Sequence, residues 1–419
     1  MTDRPKLLER LMAAPLQQAM ASSPVVVLTG ARQTGKTTLC TMLRPDSARR
    51  YVSLDDLDVL ALAERDPDAL LASADALVLD EVQRAPGLLL AVKRAVDRSR
   101  RAGRFLLTGS ANLLLMRQVS ESLAGRAVYL ELGPMTTSEI RGRPDPGPWS
   151  DLLACNDVRD AAAALDARPR HDVRWRDLAE RGGLPAAALD RDAAARARWF
   201  DGYVRTYLER DLRQVAAIDA IADFRRLLGL AALRTGTLVN QASLGRDVGL
   251  SQSTVGRYLN LLEVSYLVHR LHPYAVNRGK RLIRTPKLYW LDTGLAGFLA
   301  RFRPGSKDPS DEPLAAALLE NLVLAHLLAW RELCTPRPDV LFWRTASGQE
   351  VDFVIEDGRR LLPIEVKAAR TISAADVRWL EAFLFEHRHR ARLGLLIYDG
   401  TDIRAVGAGV VAVPLGRLL

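Results

Sequence analysis

Residues Gly30-Ala31-Arg32-Gln33-Thr34-Gly35-Lys36-Thr37 match the pattern GxxxxGK[ST] at every fixed position. The run follows Val25-Val26-Val27-Leu28, a β-branched stretch that reads as a buried strand. It precedes Thr38-Leu39-Cys40-Thr41-Met42-Leu43, which holds no helix breaker. Strand, glycine turn and helix start are the context in which backbone N–H groups and the helix dipole hold phosphate oxygens. The reading is that Gly30 to Thr38 cradle the phosphates of ATP. Lys36 reaches the outer phosphates, and the Thr37 hydroxyl ligates Mg²⁺.

Further along, Ala76-Leu77-Val78-Leu79 ends in Asp80-Glu81. A buried parallel strand reads this way, and its C-terminal end is where ligands sit in an open α/β sheet. Asp80 is expected to hold the Mg²⁺ through its water shell, and Glu81 to orient or deprotonate an attacking water. A third strand, Phe105-Leu106-Leu107-Thr108, runs into Gly109-Ser110-Ala111-Asn112. Ser110, with Asn112 as alternate, is placed to touch the γ-phosphate or the water; helix capping is the competing role. Arg126, between a helical stretch and the strand Val128-Tyr129-Leu130, is a candidate trans-acting finger in a ring of subunits. An ordinary surface arginine is the other reading.

These pieces (GARQTGKTTL, ALVLDEVQRAP, FLLTGSAN, SLAGRAVYLELGPM) resemble an AAA-type ATPase core. More narrowly, the chain is similar to prokaryotic ATP-binding proteins that join such a core to a C-terminal domain of unknown function. The fold class expected is α/β. It comprises a P-loop AAA-type ATPase core at 1–140, a helical bridging region at 150–235, a winged helix at 236–300 and a small α/β nuclease-like domain at 312–419.

Composition sets bounds. The 419 residues suffice for two or three domains, and 48% hydrophobic with 26% charged residues is ordinary for a globular chain. No apolar run was expected to span a bilayer, and the N-terminus shows no signal-peptide core, so the expected location is cytoplasmic with no membrane partner. Three scattered cysteines and six histidines form no zinc or disulfide framework. The formal net charge of +9 is compatible with a nucleic-acid partner, although arginine is abundant throughout.

The winged-helix expectation rests on residues 240–264. Asn240 to Val248 reads as one short helix, Gly249-Leu250-Ser251 as the turn, and Gln252 to Val264 as a second helix. In such a fold the second helix enters the major groove, so Ser251, Gln252, Ser253, Thr254 and Arg257 are expected to face duplex or branched DNA. Arg278, Lys280, Arg281, Arg284 and Lys287 are expected to line its backbone. Protein contact is the alternative use of the same fold.

Near the C-terminus, GQEVDFVI and LPIEVKAA resemble the PD-(D/E)xK nuclease superfamily, in its Holliday-junction-resolvase branch. Glu365 and Lys367 are two apart and so share one face of a strand. The resemblance implies that Asp352 and Glu365 bind Mg²⁺ or Mn²⁺, that Glu320 completes the set, and that Lys367 activates water. Two functions follow as expectations: a structure-selective DNA nuclease coupled to an ATPase, or an ATP-switched DNA-binding regulator with an inactive nuclease-like domain. Homo-oligomerisation is left open.

Overall fold

The computed structural model describes residues 7–42, 49–109, 123–211, 221–306 and 308–419. They fall into two compact units. One holds the chain up to Met135, with Leu184–Ala186 and Asn260–Leu267; the other holds Thr136–Gly183, Ala187–Leu259 and Val268–Leu419. Most of the three segments expected after the ATPase core therefore lies in one unit.

The first unit is built on a parallel sheet of β1 (Val25–Thr29), β2 (Arg49–Ser53), β3 (Ala76–Asp80), β4 (Phe105–Thr108) and β5 (Ala127–Glu131). Their order is β2-β3-β4-β1-β5, with every pairing parallel. The three central strands read as nearly unbroken apolar runs and are buried, as a sheet covered on both faces requires. Edge strands β2 and β5 alternate in burial. Among the covering helices, Leu88–Arg98 turns Leu88, Leu89, Ala91, Val92, Ala95 and Val96 inward, at helical spacing. Because β1, β3 and β4 are adjacent and parallel, their C-terminal ends bring the loop after Thr29, the acid Asp80 and the hydroxyl of Thr108 to one edge.

The second unit contains two sheets. A six-stranded one runs β13-β14-β12-β11-β10-β9. Its strands are β9 (Asp339–Arg344), β10 (Glu350–Asp357), β11 (Arg360–Lys367), β12 (Gly394–Tyr398), β13 (Arg404–Ala405) and β14 (Val410–Pro414). The β9, β10 and β11 pairings are antiparallel, and β11, β12 and β14 are parallel. A three-stranded antiparallel sheet has β8 (Lys287–Trp290) between β6 (Thr237–Leu238) and β7 (Val268–Leu271).

Between β6 and β7 the chain forms two helices, Gln241–Val248 and Gln252–Val264. Their turn depends on glycine twice. Gly249 has φ +77°, and a Cβ on Gly245 would lie 2.5 Å from the Leu250 carbonyl oxygen. Asn240 caps the first helix by accepting from the Ser243 N–H, and Ser251 accepts from the Thr254 N–H at 3.2 Å.

The helix Glu312–Arg331 corrects one expectation. At 20 residues it is long and apolar enough to cross a membrane by length and composition. Its apolar residues Leu318, Leu319, Val323, Leu324 and Leu327 are buried within the fold.

Candidate functional site

The loop after β1 leaves ordinary backbone geometry at Gly30, Gln33 and Gly35, with φ of +136°, +68° and +92°. A Cβ on Gly30 would lie 2.3 Å from the Leu132 carbonyl oxygen, so glycine alone fits there. Arg10 braces the loop, donating to the Thr34 carbonyl at 2.7 Å and the Gly133 carbonyl at 2.8 Å. Lys36 is buried, and its Nζ donates to the carbonyls of Gly30 and Ala31 at 3.0 and 2.8 Å. Burial pushes its ammonium down to about 8, against the opposing pull of Glu81 and Asp80. Arg32, Gln33, Thr37 and Thr38 are exposed around it, while Ala31 and Thr34 are buried.

Asp80 organises the adjoining edge. Its carboxylate accepts from the Thr37 hydroxyl at 2.8 Å, the Tyr51 phenol at 2.6 Å, the Thr108 hydroxyl, and the Glu81 N–H at 3.1 Å. Burial, then the bond to Asp80, pushes the Tyr51 phenol up. The loop hydroxyl and strand carboxylate expected to share a metal ion are thus already neighbours. Glu81 adopts φ 56°, ψ 42°, a left-handed conformation uncommon outside glycine. Its carboxylate accepts from the Gln83 side-chain amide.

Arg126 is engaged within its own chain. Its guanidinium makes a two-pronged contact with Asp97, at 2.6 and 3.0 Å, and a third bond to the Ala124 carbonyl. A trans-acting role requires that contact to break first. Ser110 and its alternate Asn112 lie outside the described residues. Arg10, Tyr51 and Thr108 are site residues that sequence reading missed. Thr108 had a signal, as the polar end of an apolar strand; Tyr51 and Arg10 had none.

In the second unit the structure gathers the expected Glu320, Asp352, Glu365 and Lys367, and adds Lys287, Tyr289 and Glu350. Lys367 donates to Glu365 Oε1 at 2.7 Å, as the shared strand face requires. Asp352 lies where the pairing of β10 with β9 shifts register, between Val351 and Val354, an irregularity that re-aims a side chain. Its Oδ2 accepts from the Val366 N–H at 2.9 Å. Lys287 enters from β8. Its ammonium lies 3.1 Å from Glu320 Oε1, 2.5 Å from Glu350 Oε1 and 3.9 Å from Asp352 Oδ1. The Tyr289 phenol also donates to Glu320.

The electrostatics follow from burial. Burial first, and Asp352 second, push Glu320 up to about 7 and Glu365 up to about 8. Burial pulls Lys287 down, but Glu320, Asp352 and Glu350 outweigh it and push it up. Glu365 Oε2 is buried with no hydrogen-bond partner among the described residues. The residues fit a metal ion only in part. That orphaned oxygen suits one, yet no group of three or more His, Cys, Asp or Glu among the described residues is arranged to hold one. A lysine ammonium stands among the carboxylates instead.

The basic cluster expected along DNA also needs correction. Ser251, Gln252, Ser253 and Arg257 are exposed, Thr254 is half-buried, and Arg278, Lys280 and Arg284 are exposed. Arg281 is buried and paired with Glu356 at 2.5 Å, and Lys287 is buried as described, so neither is free to meet a phosphate. Both carry a charge that local sequence assigns to the surface. Their acidic partners lie 33 to 75 positions along the chain, beyond the reach of a local pattern.

A glycine loop, a buried lysine and a strand-end acid bonded to the loop threonine, at one edge of a parallel sheet, define a P-loop ATPase. Residues 22–141 match the AAA domain model, which gives the same class. Residues 173–306 and 315–418 match two domains of unknown function, DUF8612 and DUF4143. The chain is 34% identical over 412 residues to uncharacterized proteins of Mycobacterium bovis and Mycobacterium tuberculosis, covering 97% of this chain and 83% of each of theirs. It belongs to the family of these mycobacterial proteins, with an N-terminal AAA domain. Among solved structures, the Walker-type ATPase of Pyrococcus abyssi is similar at 15% identity and a TM-score of 0.44, covering 71% of this chain and 97% of that one.

Proposed function

We propose that this ATPase is a nucleotide-driven switch that binds duplex or branched DNA through the helix Gln252–Val264. One observation carries the reading. That helix buries Val255, Tyr258, Leu259 and Leu262 and leaves Ser251, Gln252, Ser253 and Arg257 exposed at its start. Just beyond its end, Tyr266 donates to the hydroxyl of Thr29, the residue before the phosphate loop, at 3.0 Å. Hydrogen-bonding groups that suit base edges and phosphates thus share one short segment with a contact to the end of β1, one residue before the phosphate loop. Exposed Arg278, Lys280 and Arg284 supply sequence-independent phosphate attraction.

At the nucleotide site, Thr37 and Asp80 would hold Mg²⁺, which supplies neutralisation of phosphate charge. Lys36 would trade its two loop carbonyls for phosphate oxygens. Glu81 would orient the attacking water and accept its proton once released from Gln83. The test is fluorescence anisotropy of labelled duplex and four-way-junction DNA, with ATP, with ADP and without nucleotide, across a salt series. The expected result is binding that weakens steeply with salt and differs between ATP and ADP. Absence of binding at low salt sinks the reading.

A second reading, a metal-dependent DNA nuclease, is favoured by the orphaned Glu365 oxygen. It requires cleavage of duplex, forked or junction DNA in Mg²⁺ or Mn²⁺ that disappears in both Asp352→Ala and Lys367→Ala.

A further inference from the structure

The carboxylate centre of the second unit contains an ammonium group contributed by a different sheet. Glu320 comes from the helix Glu312–Arg331, Glu350 and Asp352 from β10, and Glu365 from β11. Lys287 comes from β8, the central strand of the three-stranded sheet. Its side chain is only 4% exposed and lies within 4 Å of three carboxylates. Ion pairing this deep is favourable only when geometry and partners are complete. Here Glu320 is also bonded to Tyr289, and Glu350 also to Arg344 at 2.5 Å.

We propose that Lys287 is a built-in counter-ion that excludes divalent cations from this centre, so that a metal ion enters only when β8 withdraws its lysine. The arrangement supports this in three ways. The ammonium pairs with Glu320 and Glu350 and lies 3.9 Å from Asp352, and two positive centres within a few ångströms in such a site repel strongly. The buried, unpartnered Glu365 Oε2 shows acceptor capacity remaining in the same cluster, next to Asp352 and Glu320. Lys287 also sits opposite Leu271 in β7 and Leu238 in β6, so displacing it disturbs the sheet whose strands β6 and β7 flank the two helices. Cation binding and the position of that sheet are therefore linked, and by reciprocity each biases the other. The inference rests on this cluster alone and stands whether or not the protein binds DNA.

The test is a Mn²⁺ titration of the nucleotide-free full chain, followed by electron paramagnetic resonance of free Mn²⁺. Wild type and Lys287→Arg should bind weakly. Lys287→Met, of similar length and no charge, should bind at least about tenfold more tightly, a low bound for removing a like charge at this distance. Adding Glu365→Gln should remove the gain and so locate the site. Lys287→Gln serves as a second neutral variant should the methionine chain not fold. Equal Mn²⁺ affinity in wild type and a folded neutral variant overturns the proposal. In the wild type itself, hydrogen exchange should show β8 losing protection at Mn²⁺ concentrations that produce binding. Bound Mn²⁺ with β8 protection unchanged also overturns it.

Discussion

Among the described residues, Lys36 and Lys287 are buried beside carboxylates, and they are held in opposite ways. Lys36 donates to two backbone carbonyls and is pushed down to about 8, chiefly by burial. Lys287 is comparably buried but surrounded by Glu320, Glu350 and Asp352, which push it up. Neutral carbonyls hold an ammonium loosely, and a phosphate oxygen is a better partner. Carboxylates hold it firmly, and leaving them unpaired is costly. The same residue type is thus held by neutral carbonyls in one unit and by carboxylates in the other.

The largest expected effect tests the first half of that contrast. Glu81→Gln should lower steady-state ATP hydrolysis by about 10²- to 10⁴-fold, the range typical of lost general-base catalysis, and Lys36→Ala by about 10²- to 10³-fold, as for one lost charge-stabilising donor. A coupled phosphate-release assay measures it, and near-normal rates in Glu81→Gln would remove that residue from the chemistry. The second half predicts that Lys287→Ala destabilises its unit by about 3–5 kcal/mol, because Glu320, Glu350 and Asp352 lose the ammonium they share. Urea denaturation measures this, and adding Glu320→Gln should recover part of the loss. A cost as small as that of a surface lysine would break the comparison.

Acid should distinguish the two units as well. All six histidines fall in the second unit. Buried His326 accepts from the Thr137 N–H at 3.0 Å through Nε2, and its Nδ1 lies 2.9 Å from the Leu322 carbonyl. Burial pushes it down to about 4. The unfolded chain therefore binds more protons between pH 6.5 and 4, so stability is present above 6.5 and is lost as pH falls through that window. The loss approaches about 3 kcal/mol for a shift of this size. His326→Gln should flatten the pH dependence of thermal unfolding; an unchanged slope would assign the acid sensitivity elsewhere.

Smaller effects are expected at the surface. Arg257→Ala should weaken DNA binding and reduce its salt slope by about one, as for one lost phosphate contact. Arg281→Ala, by contrast, should leave the salt slope unchanged and lower stability, since Arg281 is paired with Glu356 inside the fold. Arg126→Ala should leave stability close to that of wild type, because its pair with Asp97 is solvent-screened. A loss of ATP hydrolysis in this variant that wild-type subunits restore on mixing would reinstate the trans-acting role.

The nucleotide site was largely legible because its parts are local. Lys36 and Thr37 sit at set offsets from Gly30, and Asp80 ends an apolar run. The pairing of Glu365 with Lys367 was legible for the same reason, since residues two apart on a strand share a face. The loop's brace was not, because Arg10 reaches it from 24 positions away. Nor was the bond from Tyr51 to Asp80, which depends on β2 pairing with β3.

By itself, then, the sequence determined the P-loop, its partner acid, the two helices around Gly249 and the strand bearing Glu365 and Lys367. In each, backbone geometry over a few residues dictates where side chains point. Only the tertiary structure decided which charges are free. A lysine looks the same in a sequence whether it faces water or carboxylates; Lys36 is held by carbonyls of its own loop, whereas distant segments make Arg281 a structural ion pair and Lys287 the ammonium among the acids.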